Sequence, residues 1–189
     1  MTTDLIGRVQ RLLFSPAKEW DVIDGETVEV QALYRAYVGP LVVFSALAGL
    51  IGSTAIGIGL FGYRPPLGLA LGHAVLSVIL GLGMVYVFAL IVDALAPSFG
   101  AAKNFGQAFK VAAYAPTASW VGGIFMLLPA LRVLSALAAL YSLYLLFVGL
   151  PKLMKPEKDK GLSYTIAAIL CMIGLSIVVG ALSTTGPFF

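Results

Sequence analysis

The chain has 189 residues, 60% of them hydrophobic and only 11% charged, with a formal net charge of +3. An ordinary soluble domain carries roughly 25% charged residues, so this chain cannot clothe a water-facing fold of its size, and lipid must be the solvent for most of its surface. What charge there is sits in the tails and loops, which excludes a nucleic-acid footprint and leaves the lipid bilayer as the first expected partner.

Residues 1–32 form a distinct cytoplasmic segment. The start, Met1-Thr2-Thr3-Asp4, lacks the basic stretch and apolar core of a signal peptide. Leu5, Ile6, Val9, Leu12 and Leu13 fall on one helical face, with Arg8, Gln10 and Arg11 away from it. Ser15-Pro16 ends that helix and is also a good start for a second, with Ser15 as N-cap and Pro16 at the first helical position. Trp20 and the acids Asp21, Asp24, Glu26 and Glu29 follow. A basic amphipathic helix beside a tryptophan reads as an interfacial element, with Arg8, Arg11 and Trp20 at the membrane surface. Packing of the same helix on the cytoplasmic ends of the bundle is the other reading, and the two are compatible.

Residues 33–189 read as an all-α integral membrane bundle of five transmembrane helices. A span needs about 20 apolar residues. Uncharged stretches supply Tyr37 to Gly62, Gly68 to Leu95, Val111 to Leu128, Val133 to Leu150 and Leu162 to Leu182. The short join at Pro129-Ala130 makes the third and fourth an antiparallel hairpin. Small residues at four-residue spacing predict helix–helix contact stripes: Gly49, Ser53 and Gly57; Gly68 and Gly72; Ser77 and Gly81; Ser176, Gly180 and Thr184. Of the 12 lysines and arginines, all but Arg64 and Arg132 fall on one side of this topology. The positive-inside rule therefore puts the N-terminus and the basic loops in the cytoplasm and Ser183 to Phe189 outside.

Ionisable groups inside membranes are functional suspects, and few are present. Asp93, the only acid between Glu29 and Glu157, lies at the cytoplasmic end of the second span. It reads either as an ion, proton or ligand site, or as an interfacial carboxylate paired with Lys103, Lys110 or a helix cap. His73 has no partners for a metal site and reads as an interfacial, hydrogen-bonded side chain. Cys171 reads as a small hydrophobe. Tyr37-Val38-Gly39-Pro40 opens the first span and Tyr114-Ala115-Pro116-Thr117 lies near the start of the third. A proline in a spanning helix frees a carbonyl that must find another donor. Tyr37, Pro40, Lys110, Tyr114 and Pro116 could thus form one polar pocket with Asp93, or the prolines could simply kink two helices. No catalytic constellation, phosphate loop, metal set or cofactor motif is evident.

Taken together, Pro16-Ala17-Lys18-Glu19-Trp20, Tyr37-Val38-Gly39-Pro40-Leu41, Asp93-Ala94-Leu95-Ala96-Pro97, Ala112-Ala113-Tyr114-Ala115-Pro116-Thr117 and Leu150-Pro151-Lys152-Leu153-Met154 resemble the bacterial branch of the Yip family. The family is named for eukaryotic relatives that interact with Ypt/Rab GTPases. The resemblance implies five spans with a cytoplasmic N-terminus, a multi-pass place in a bacterial inner membrane, and non-enzymatic binding in trafficking or membrane organisation. The Asp-Leu-Tyr-Gly-Pro motif of the eukaryotic members is only partly matched, by Tyr37 to Pro40, and no catalytic residues come with the family. Two functions remain open: a scaffold that organises lipids, other membrane proteins or a homo-oligomer, and a small transporter or channel with its polar site around Asp93.

Overall fold

The computed structural model describes residues 4–27, 29–57, 62–128 and 131–184, and among them, apart from turns and a single bridge residue at Tyr63, the secondary structure is helical. Helix α1 (Leu5–Phe14) is capped by the Asp4 side chain, which accepts from the Gly7 N–H at 3.1 Å. Helix α2 (Pro16–Gly25) starts at the predicted proline and doubles back on α1.

A continuous helical run, Val30–Ile56, comprises α3 (Val30–Leu33), a π-helical turn (Tyr34–Val38), α4 (Gly39–Ile51) and a second π-helical turn (Gly52–Ile56). The first wide turn precedes Pro40, which has no N–H to continue an α-helical ladder; such insertions are a regular way to absorb a proline. Helix α5 (Leu67–Leu95) continues into a 3-10 turn (Ala96–Phe99). Gly100 then takes the left-handed conformation, φ 71°, and a Cβ there would run into Glu157.

The third apolar segment is in three pieces: α6 (Phe105–Tyr114), α7 (Thr117–Gly122) and a 3-10 turn (Gly123–Leu127). Two long helices, α8 (Arg132–Met154) and α9 (Gly161–Thr184), complete the order. Among the described residues, four helices are therefore long and apolar enough to cross a membrane: Val30–Ile56, Leu67–Phe99, Val133–Met154 and Gly161–Leu182. The third segment is apolar but is not one helix, because Pro116 breaks it. The far end of the first predicted span (58–61), the join at 129–130 and the tail from 185 lie outside the described residues.

Close approach between helices falls mainly on glycines other than those the four-residue spacing picks out, and the close neighbour of Gly57 is the backbone of Gly62 in the turn that follows. A Cβ on Gly52 would meet the Met126 backbone, one on Gly122 would meet Ala138, and one on Gly123 would meet Ser45. Of the predicted stripes, Gly81 lies against Val42, while Gly49, Gly68 and Gly180 face open space. Spacing finds a stripe on a helix but not which side of the helix a neighbour covers.

The buried core lies at the α1–α2 end of the bundle. Leu12, Trp20 and Ile23 of the hairpin join Tyr37, Phe88, Phe109, Tyr114, Leu146, Leu150 and Tyr164 in one cluster. Away from it the helices show large apolar side chains outward, and only 11% of the apolar window of α9 is buried.

Candidate functional site

The polar residues that sequence reasoning singled out do not form one pocket. Tyr37 and Tyr114 do meet, their ring centroids 4.7 Å apart and edge to face. Tyr37 is buried and its hydroxyl lies 2.8 Å from Thr117 Oγ1. Thr117 Oγ1 in turn donates to the Tyr114 carbonyl at 2.6 Å. The break at Pro116 thus supplies its own remedy: the threonine after the proline satisfies a carbonyl beside the gap, as broken helices in lipid require. Pro116 borders this group, whereas Pro40 is exposed on the outer side of α4, so its kink shapes the helix and does not line a pocket.

Lys110 is buried, and its ammonium donates to the carbonyls of Ile23 at 2.7 Å, Asp24 at 3.4 Å and Glu26 at 2.6 Å. Those carbonyls close helix α2, where a cation is favoured by the helix dipole. Burial lowers the Lys110 pKa below the ordinary lysine value, against the opposing attraction of Asp24 and Glu26. The predicted pairing of Lys110 with Asp93 is therefore corrected, since the lysine is spent on the end of α2. Asp93 stands apart, near Tyr164 of α9, whose hydroxyl donates to the Val92 carbonyl at 2.5 Å. Its Oδ1 is buried without a hydrogen-bond partner.

The densest polar site is one that the sequence split between two segments. Arg8 is only 7% exposed and Glu19 only 3%. Arg8 Nη1 meets Glu19 Oε1 at 2.7 Å, and Nη2 meets Glu26 Oε1 at 2.5 Å. Arg11 Nε lies 3.0 Å from both Glu19 oxygens. The Arg8 guanidinium also lies 5.7 Å from the Tyr114 ring centre. Burial opposes the Arg8 charge, but the Glu26 hydrogen bond and the nearby acids outweigh it and raise the pKa above the ordinary arginine value.

Trp20 has no exposed surface and packs edge-on to Tyr114 at 6.2 Å. The structure thus places Arg8 and Trp20 inside the protein instead of at the membrane surface, where the amphipathic pattern alone would put them; of that group only Arg11 has a half-exposed side chain. The helical period identified the faces of α1, but Glu19 and Glu26, which draw Arg8 inward, lie on the next helix or just past its end, where no periodicity within α1 can report them.

Further contacts fasten the hairpin to α8 and α6. Tyr141 Oη donates to the Leu13 carbonyl at 2.6 Å. Lys152 Nζ donates to the Ala17 carbonyl at 2.6 Å and pairs with Asp21 at 2.5 Å. Lys155 pairs with Asp24 at 2.8 Å, and Gln107 Nε2 donates to Asp24 Oδ1 at 3.0 Å.

A bundle of apolar helices with its lipid-like surface turned outward defines a multi-pass membrane protein, and its exposed Leu47, Ile79, Leu140 and Leu170 meet the bilayer. Residues 11–181 match the Yip1 domain, and the chain belongs to that family. No curated protein and no solved structure matches it.

Proposed function

We propose that this Yip1-domain protein is a non-enzymatic scaffold that organises the membrane or other membrane proteins, crossing the bilayer five times from a cytoplasmic N-terminus. The broken segment from Val111 to Leu128 makes the third crossing; the ten lysines and arginines on one side support that sidedness. A bacterial inner membrane, with the C-terminus outside, fits the same charge pattern. The observation that carries the scaffold reading is the docked hairpin. Lys110, Tyr141, Lys152 and Gln107 spend their hydrogen bonds on holding α1–α2 to the bundle, which builds a fixed face at the cytoplasmic end.

One observation favours the second reading, a transporter or channel: Asp93 has a buried carboxylate oxygen with no partner. Native mass spectrometry of the full chain, gently extracted from its own membrane, separates the two. A stoichiometric protein partner, or a homo-oligomer without cargo, supports the scaffold. A small molecule or ion retained by wild type and lost in Asp93→Asn overturns it in favour of transport. A bare monomer with neither sinks both.

A further inference from the structure

The α1–α2 hairpin does not lie flat on the bundle; it runs alongside α6–α8 with its tip pointing inward. Three contacts fix its register on α8. Asp24 pairs with Lys155, Trp20 covers Gly149, and Leu13 receives the Tyr141 hydroxyl. Passing from Gly25 back toward the tip therefore means descending α8 from its basic end. On the other side, Arg8 lies at Tyr114 of α6, and α1 also touches α7. Tyr141 lies 11 positions before Lys152, a rise of about 16 Å at 1.5 Å per residue. Half of a hydrocarbon core is about 15 Å. With Lys152 at the interface, the tip lies below the headgroups, between the Lys152 ammonium that holds the Ala17 carbonyl and the Tyr141 hydroxyl that holds the Leu13 carbonyl.

We propose that the hairpin is a re-entrant wedge in the leaflet on the Lys152 side, with Phe14 at its tip in direct contact with lipid acyl chains. Phe14 is 83% exposed, and this depth explains a large aromatic side chain presented at a helix end. The same depth accounts for the burial of Arg8 and Glu19, since charges inside a leaflet must be paired and covered. Arg11 is drawn back to Glu19, and Lys18, exposed on α2, has an aliphatic stem that carries its charge toward the headgroups. Because the hairpin turns back between the levels of Lys152 and Tyr141, it takes up area in one leaflet only, which is a direct physical means of organising a membrane. The wedge rests on the reading of α8 as a spanning helix and is independent of which side is cytoplasmic.

The test is nitroxide accessibility on the full chain in Cys171→Ser background, reconstituted in vesicles of phosphatidylethanolamine and phosphatidylglycerol. Labels are placed at Phe14→Cys, at Leu140→Cys on the outward face of α8, and at Lys158→Cys in the basic loop. The label at 14 should be relaxed by oxygen and shielded from a water-soluble nickel complex, matching 140 and several-fold less nickel-accessible than 158. Nickel access at 14 equal to that at 158, with 140 shielded, overturns the wedge alone. Nickel access at both 14 and 140 overturns the spanning reading of α8 and the wedge with it. If the Phe14 variant reconstitutes poorly, a label at Ser15→Cys reads the same depth.

Discussion

The indole of Trp20 occupies the space that a side chain on Gly149 would fill. A Cβ built on Gly149 would overlap the fused edge of the ring, so a glycine on α8 is what lets α2 lie against it. Gly149→Leu is expected to push Trp20 out and loosen the hairpin, while Gly149→Ala should cost about 1–3 kcal/mol, the usual penalty of overpacking a tight site. Trypsin supplies the readout, since Arg8, Arg11 and Lys18 lie on the hairpin. Wild type in detergent should resist cleavage at Arg8, and Gly149→Leu should be cut there much faster. Equal protection in both would mean that Trp20 is not the latch.

The Arg8–Glu19 pair gives a sharper energetic test. Removing one member of a buried pair strands the other, at about 3–5 kcal/mol, whereas replacing both with apolar side chains of similar size is often neutral or better. Glu19→Gln and Arg8→Met should each lower the melting temperature in detergent substantially. Arg8→Met combined with Glu19→Met should recover much of the loss. A double variant as unstable as the sum of the singles would show that the two side chains act independently, against the 2.7 Å contact.

How far the sequence reaches is seen in these same residues. The apolar stretches and the proline at the start of α2 were legible because each is a local pattern along the chain. The family was legible from motifs in order. The third segment was readable as apolar but not as three pieces, because Pro116 marks a break without saying how far the helix on either side is rewound. Tyr37 and Tyr114, grouped by their proline-flanked motifs, lie in ring contact. Asp93 was grouped with them only by shared depth, and depth does not say which face of α5 it occupies. The pattern of α1 leaves Arg8 open to the membrane surface or to the bundle, since its partners come from α2 and the residue that follows it. Exposed glycines such as Gly68 and Gly180 make no contact despite their spacing for a related reason: a spacing is a property of one helix, and a contact is a property of two.

The mended break at Pro116 predicts a specific side-chain requirement. Thr117→Val keeps the shape but removes both the bond to the Tyr114 carbonyl and the partner of the Tyr37 hydroxyl. Leaving such groups buried and unpaired costs about 1–3 kcal/mol. Thr117→Ser should restore most of the stability, and Tyr37→Phe should cost less than Thr117→Val because it leaves the carbonyl bond intact. Melting of the purified proteins in one detergent orders the variants; a Thr117→Ser no better than Thr117→Val would remove the hydroxyl from the explanation.

Lys110 carries a pH signature. Its pKa in the folded protein is lowered from 10.5 by burial, so between that lowered value and 10.5 the unfolded chain holds more protons than the folded one. Stability linked to this group must then rise with pH across that window, stay level below it, and reach its full value above 10.5. Lys110→Met abolishes the titration and also strips donors from the Ile23 and Glu26 carbonyls, so it should be less stable than wild type at every pH. The decisive quantity is the difference in melting temperature between the two proteins as pH increases toward 10.5. That difference should widen, because only wild type gains. A constant gap would show that Lys110 titrates as it does in water, and a narrowing gap would mean that its charge, held by the end of α2, outweighs its burial.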